Sequence, residues 1–275
     1  MDSMNDSQVV LVTGASSGLG LAIATLLSTQ GYRVFGTSRD PSRAPAMPFP
    51  LITLDVREDA SVASCLAEVT RVAGGVDVLV NNAGCAIVGA VEETSVAEAQ
   101  AQMETNCFGA LRMMRAVLPR MRRLRQGRIV SISSLAGVAP PPFLGAYAAS
   151  KHALEALSES LAHEVRPHGV RVSLIELDGM RTGIPFARPR VLEPAYTAPS
   201  SRMLARLGHI TGAGGGDPMD VARCVLEVLR SPAPLMRYVV GPEAAKVVAA
   251  RRQLSEEDYI RHMVGGLGLW EPLPT

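Results

Sequence analysis

The run QVVLVTGASSGLGLAIATLLSTQGYRVFGT, residues 8–37, constrains this chain more than any other feature. It opens on a short β-rich apolar segment that stops at Gly14. From Leu19 to Gln30 the apolar residues recur at helical spacing until Gly31 ends them, and a second apolar segment, Tyr32 to Thr37, follows at once. Strand, glycine turn, helix, strand is a βαβ unit. Its three turn glycines have separable tasks: Gly14 for a tight turn, Gly18 for close approach of backbone to a phosphate, Gly20 for packing helix on strand. The backbone N–H groups of Gly14, Ser16, Ser17, Gly18, Leu19 and Gly20 and the positive end of the helix dipole then face an anion. The spacing is Thr-Gly-x-x-x-Gly-x-Gly, so the turn is read from its setting between strand and helix as much as from its letters.

The end of the second strand, TSRD, bears on which nucleotide fits. An acidic side chain here would chelate the ribose hydroxyls of NAD, whereas arginine pairs with the 2′-phosphate of NADP. Ser38 stands first and Arg39 next, and a planar guanidinium suits a phosphate, so NADP(H) is the expected cofactor. Asp40 beside it weighs the other way, and Arg39 as a solvated loop residue is the competing reading.

Further along come the strand LITLDV, a helix from about Asp59 to Val72, and the apolar strand VDVLV, which suits a parallel sheet covered on both faces. That strand closes in Asn81-Asn82-Ala83-Gly84, small residues against which a cofactor can press. Ser95 to Arg123 reads as helical with an interruption near Asn106, a poor helix former inside an apolar pattern. The arginines between Arg112 and Arg128 read as a solvated helix face or as a docking patch for an acyl carrier. A strand from Gly127 to Ile132 then ends in two serines, three prolines follow, and Tyr147 opens a small-residue helix with Lys151 four positions on. Residues four apart share a helix face, so the ammonium is expected to lower the phenol's pKa from about 10 towards neutrality. A phenol so tuned exchanges a proton with a carbonyl or alcohol oxygen, which the Ser134 hydroxyl could also bond.

VRVSLIEL is the next strand, and Asp178 to Gly216 reads as a long loop rich in Pro, Gly, Arg and Met, a lid or binding loop with a hinge at TGAGGG. Asp217-Pro218 gives an N-cap and a proline at N1 for a helix to about Arg230, RYVVG supplies a last strand, and an amphipathic tail begins at Pro242. The net charge of +1 gives no case for nucleic acid. The cysteines Cys65, Cys85, Cys107 and Cys224 show neither metal nor disulfide spacing and read as buried thiols, and the five histidines share no metal spacing, so no metal is expected. The polar leader Met1 to Gln8 lacks the pattern of a signal peptide, and no run approaches the roughly 20 apolar residues of a membrane span. A soluble, cytoplasmic protein is expected.

Together, TGASSGLG, LDV, NNAG, Asn106, Ser134 and Tyr147-x-x-x-Lys151 resemble the short-chain dehydrogenase/reductase family in its compact single-domain branch, from Val9 to about Gly241. The resemblance implies an α/β fold of Rossmann type: one doubly wound, mostly parallel seven-stranded sheet with helices on both faces. Residues 1–275 would then be a single dinucleotide-binding catalytic domain, with a substrate loop at about 178–216 and an extension from about 242. It implies Tyr147 as proton donor or acceptor, Lys151 on the nicotinamide ribose, Ser134 orienting the carbonyl, and Asn106 anchoring a water that links the lysine to solvent. Asp55 and Val56 would meet the adenine, Asn82, Ala83 and Gly84 would line the adenosine side, and Thr182 would bond the cofactor. A homodimer or homotetramer through the helices after Ala99 and Gly145 is also implied.

VSLIE, MRYVVGPEA and EEDYIRHM are similar to the hydroxysteroid and retinol dehydrogenase-like members, which handle bulky apolar carbonyls. Where the family usually has Pro-Gly after this strand, the chain has Leu177-Asp178; Asp178 is either a turn residue or a carboxylate facing the substrate. The expected function is NADP-dependent reduction of a ketone or aldehyde on an apolar small molecule, or oxidation of the matching alcohol. A non-catalytic NADP-binding sensor and a dehydratase or epimerase on the same scaffold are the alternatives.

Overall fold

The structure is a computed structural model and describes residues 8–269 except 183 and 185; most of the leader, residues 1–7, lies outside it. Seven strands form one sheet: β1 (Val9–Val12), β2 (Arg33–Ser38), β3 (Leu51–Thr53), β4 (Val78–Asn81), β6 (Gly127–Ile132), β7 (Val170–Leu177) and β9 (Arg237–Val240). Their order is β3-β2-β1-β4-β6-β7-β9, and every neighbouring pair is parallel. Parallel strands require crossovers, and helices supply them. On one face lie α1 (Gly18–Thr29) and α7 (Pro218–Arg230), packed on Val10, Val12, Val80, Val130 and Ile175. On the other lie α2 (Asp59–Ala73), α4 (Gly109–Leu124) and α5 (Gly145–Val165), packed on Leu11, Leu79, Ile129 and Val172. Because the chain leaves β1 in both directions across the sheet, a crevice opens between β1 and β4 at their carboxyl ends, the switch point where doubly wound sheets take ligands.

Local sequence explains most of the boundaries. Asp217 caps α7 by accepting from the Met219 N–H at 3.0 Å, with Pro218 at N1, as its sequence requires. Ser95 and Glu98 form a reciprocal capping box on α3 (Val96–Met103). Between α3 and α4 the helix widens into a π turn, Glu104–Phe108, that carries Asn106. Such bulges often mark functional positions.

Residues 178–216 differ from the expected irregular loop. They hold a 14-residue helix, α6 (Thr197–Ile210), and a strand β8 (Phe186–Ala187) that pairs with β5 (Ala86–Ile87). The helix is stabilised by packing: Met203 and Leu207 are buried against Val88, Phe143 and Leu144. Two further helices, α8 (Pro242–Gln253) and α9 (Glu256–Leu267), form the extension. The chain then folds back, so that Leu269 is buried in the same cluster and its carbonyl accepts from the Arg202 guanidinium at 2.8 and 2.5 Å.

The cysteines are free thiols; Cys65 and Cys107 are buried as expected, but Cys85 and Cys224 are only half-buried. Among the described residues no helix is long and apolar enough to cross a membrane.

Candidate active site

A cavity of about 1010 Å³ runs along the carboxyl ends of the strands and under α6, α8 and α9. One end is the glycine turn. Gly14 and Gly18 sit at φ +67° and +54°, the left-handed region that side chains rarely adopt. A Cβ on Gly20 would lie 2.3 Å from the Gly14 carbonyl oxygen and 2.5 Å from Asn82 Nδ2, so Gly20 is the packing glycine and does not line the cavity. Asn82 staples β4 to the turn: its Nδ2 donates to the carbonyls of Thr13 at 2.8 Å and Gly14 at 3.1 Å. The Thr13 hydroxyl, which the sequence reading passed over, accepts from the Asn82 and Ala83 N–H groups at 2.9 and 3.0 Å. Gly14, Ser16, Ser17, Gly18 and Leu19 all line the cavity, and Ser17 precedes α1 without spending its side chain on a cap. The residues present therefore fit a dinucleotide: free N–H groups at a helix start, and a cradle that any Cβ would fill.

At the same end Ser38, Arg39, Asp55, Val56, Ala83 and Gly84 also line the wall. Arg39 is exposed and makes no ion pair among the described residues. Its acidic neighbour Asp40 is turned away, capping the short turn Pro41–Arg43 through Ser42 and pairing with Arg43 at 3.0 Å. Asp55 is held by Arg57 through paired bonds of 2.9 and 2.5 Å, and that guanidinium keeps its carboxyl below the usual range. Arg57 lines the cavity too, a second cation that the sequence reading did not single out.

Midway, β6 delivers Ser134 and α5 delivers Tyr147 and Lys151 to one wall. Ser134 starts a short 3-10 turn, accepting from the Ala136 N–H at 3.2 Å, and lines the same wall as the Tyr147 phenol. Lys151 donates from Nζ to the Ile132 carbonyl at 2.8 Å and sits 5.9 Å from the centre of the tyrosine ring.

The expected depression of the phenol's pKa is not what this arrangement produces. Burial pushes Tyr147 up, and the neighbouring Ser134 only partly opposes it; the ammonium is directed at the strand carbonyl. The phenol is therefore protonated at neutral pH. Burial also brings Lys151 down to about 8, opposed first by Cys85 and then by Glu155.

Asn106 is 1 % exposed, and its side chain is fully engaged. Oδ1 accepts from the Cys85 N–H at 2.9 Å, and Nδ2 donates to the Cys85 carbonyl and the Ser150 hydroxyl, both at 3.0 Å. Beside it, between Asn106, Asn81 and Lys151, lies a second cavity of about 10 Å³, near the minimum for one water.

The Thr182 backbone overhangs the glycine turn, its carbonyl 3.1 Å from where a Gly18 Cβ would stand. Asp178 is more than a turn residue, and it lines the cavity. Its Oδ2 accepts from the N–H groups of Glu243 at 3.1 Å and Ala244 at 3.2 Å, capping α8 from 65 residues away. Beyond Tyr147 the lining is apolar: Ala139, Leu144, Ile184, Phe186, Met203 and Leu207, joined by Val247, Met263 and Leu267 of the extension. The apolar lining of the cavity thus extends beyond residues 178–216. Of the arginine-rich stretch, Arg112, Arg120, Arg125 and Arg128 bond carboxylates or carbonyls of neighbouring elements, so much of that face is structural.

A doubly wound sheet with a glycine turn at its switch point and a Ser-Tyr-Lys wall defines a nucleotide-dependent oxidoreductase architecture. The chain belongs to the short chain dehydrogenase family, whose model matches residues 8–188. It is 44% identical over 176 residues to "3-ketodihydrosphingosine reductase" of Bacteroides thetaiotaomicron, a match covering 64% of this chain and 65% of that protein. It is 36% identical to human "17-beta-hydroxysteroid dehydrogenase type 1" over 84% of this chain and 76% of that protein. Among solved structures, a metagenomic short-chain oxidoreductase in complex with NADP superposes with a TM-score of 0.67 at 29% identity, covering 86% of this chain and 98% of that one.

Proposed function

We propose that the protein reduces a ketone or aldehyde on an apolar small molecule with NADPH, Tyr147 acting as the proton donor. The observation that carries this reading is the placement of Ser134, Tyr147 and Lys151 together on the wall of a cavity that runs from the glycine turn to an apolar region under α6 and α9. When bound, the reduced nicotinamide supplies the hydride. Negative charge that develops on the substrate oxygen meets the Ser134 hydroxyl and the Tyr147 proton, both fixed before reaction. A phenol kept protonated by burial suits donation, hence reduction. Lys151, held by the Ile132 carbonyl, keeps a positive charge beside the phenolate left behind and bonds the cofactor ribose. Asn106 braces the wall by tying the π turn to Cys85 and α5.

Arg39 and Arg57, with Asp40 turned aside, favour a 2′-phosphate at the adenine end, and the NADP-bound neighbour supports the same choice. The substrate class draws on the names of the relatives, a ketosphinganine reductase and a hydroxysteroid dehydrogenase, and on the apolar lining under α6 and α9.

Replacing Tyr147 by Phe removes the proton and should lower NADPH-dependent reduction of a carbonyl panel about 10³-fold. Equal rates in both proteins would overturn the assignment. Arg39→Asp should weaken NADPH relative to NADH by roughly 10- to 100-fold in binding titrations, as expected for one charge-assisted contact. An unchanged ratio would put the phosphate elsewhere.

A further inference from the structure

The face of α5 that turns into the protein carries an unusual stripe, Lys151, Glu155 and Ser158, at spacings of four and seven residues, with the exposed Glu159 at its edge. Opposite it the sheet presents a second polar stripe. Ser131 and Ser133 alternate on β6 and just beyond it, Glu176 stands next to Ser133 on β7, and Arg237 lies on β9, all on the side away from Val130, Ile132 and Ile175. The two stripes make a polar seam through the core, from the candidate active site to the far edge of the sheet.

Glu155, Glu176 and the hydroxyls of Ser131, Ser133 and Ser158 are each at least nine-tenths buried. Those three hydroxyls, Glu155 Oε1 and both Glu176 oxygens have no hydrogen-bond partner among the described residues. At the far end the half-buried Arg237 reaches in. Its Nε donates to Glu155 Oε2 at 3.1 Å and lies 3.2 Å from Glu176 Oε1, and its Nη2 donates to Glu159 at 2.9 Å. At the other end Gly137 brings the groups together: a Cβ there would stand 3.0 Å from Ser133 Oγ, 3.2 Å from Glu155 Cγ and 3.3 Å from Lys151 Cβ.

The two carboxylates that are out of water, Glu155 and Glu176, share the single guanidinium of Arg237, 3.1 and 3.2 Å from its Nε. Like charges so close cannot both ionise without a large cost, and one proton removes the repulsion. The geometry says where it goes. Glu155 takes the guanidinium's hydrogen bond and lies one turn from Lys151, whereas Glu176 is 0 % exposed, hydrogen-bonded to nothing, and crowded by Glu155. We propose that Glu155 and Glu176 hold one proton between them, resident on Glu176, and that the single negative charge left at Glu155 is the counter-ion that keeps Lys151 an ammonium beside Tyr147.

Glu155 is then a positioning residue, acting on the reaction only through the lysine. The other charged groups facing the pair are Glu159 on α5, Arg237 on β9 and Arg252 on α8; Cys85 faces Lys151 from the loop after β4. Burial pushes the Glu176 carboxyl up, and Glu155 pushes it further, in the direction that the proposal requires. The same burial lowers Lys151 to about 8 against the pull of Cys85 and, after it, Glu155, so removing the Glu155 charge should lower it more.

Two measurements test this, and only the second rests on the function proposed above. In the infrared spectrum of the wild-type protein at neutral pH, a carbonyl-stretch band of a buried protonated carboxylic acid should appear and should vanish in Glu176→Gln. Its absence from the wild type, or its persistence in the variant, overturns the shared proton. In the pH profile of NADPH-dependent carbonyl reduction, the alkaline limb reports loss of the lysine proton and falls as pH rises. Glu155→Gln should move that limb down by about one pH unit, the size of a nearby-charge effect, Glu155→Asp should move it less, and Glu176→Gln should leave it in place. A limb that stays put in Glu155→Gln overturns the counter-ion role. Should the wild type reduce no carbonyl at all, the functional reading fails, while the infrared band still decides the shared proton.

Discussion

One cavity is walled by two regions built on opposite principles. The strand ends and the glycine turn grip their side of it with backbone and with short side chains that bond backbone, as Asn82 and Thr13 do. The cover made by α6, α8 and α9 meets the cavity mainly with long apolar side chains, Met203, Leu207, Val247, Met263 and Leu267, beside the charged Arg206 and Glu243. Backbone contacts demand one conformation and tolerate no added atom, whereas apolar lining demands only roughly the right volume. The first wall should therefore fail abruptly under small changes, and the second should change by degrees.

The sharpest way to break the contrast is a single methyl group at Gly20. A Cβ there stands 2.3 Å from a backbone oxygen that the turn cannot move without losing its bond to Asn82. Gly20→Ala should destabilise the fold by about 1–3 kcal/mol and abolish measurable dinucleotide binding, read by thermal melting with and without NADPH. A variant that melts and binds like the wild type would mean that the turn is not the rigid wall described.

A milder effect is expected on the other side. Met263→Ala removes apolar lining from α9 and leaves the glycine turn untouched. KM for a bulky apolar carbonyl should rise several-fold, within the roughly 1–3 kcal/mol that hydrophobic pockets discriminate, with NADPH affinity unchanged. A loss of cofactor binding in that variant would join the two walls into one.

The same contrast explains what the sequence shows and what it hides. The strands, the turn, the Asp217-Pro218 start of α7, the interruption at Asn106 and the Tyr147-Lys151 pair were legible because each is local: a period, a cap or a spacing of four. The helix α6 was not, since Pro199, two serines and two arginines dilute its apolar stripe and tertiary packing on Leu144 and Phe143 decides it. Asp178 looked like a turn because its partners, the N–H groups of Glu243 and Ala244, are 65 and 66 residues away. Tyr147 looked acidic because spacing shows that a lysine is near. Spacing does not show that the ammonium is aimed at the Ile132 carbonyl and that the phenol is buried. The Glu155–Glu176–Arg237 seam was invisible for the same reason, its members lying on three elements brought together by the sheet order.

The smallest expected effect is also the cleanest control. Gly208 lies inside α6, exposed, with nothing within 4 Å of where its Cβ would be, and its φ is not positive. Nothing there requires a glycine. Alanine loses less conformational freedom on entering a helix, so Gly208→Ala should stabilise the protein by about 0.5–1 kcal/mol, raising the melting temperature slightly while leaving NADPH affinity as it was. Set beside Gly20→Ala, the same added methyl gives effects of opposite sign, because one glycine is wedged between backbone atoms and the other faces open space. If both substitutions destabilised alike, α6 would have to be packed as tightly as the strand ends, and the distinction between a wall that tolerates no atom and one that accepts volume would be lost.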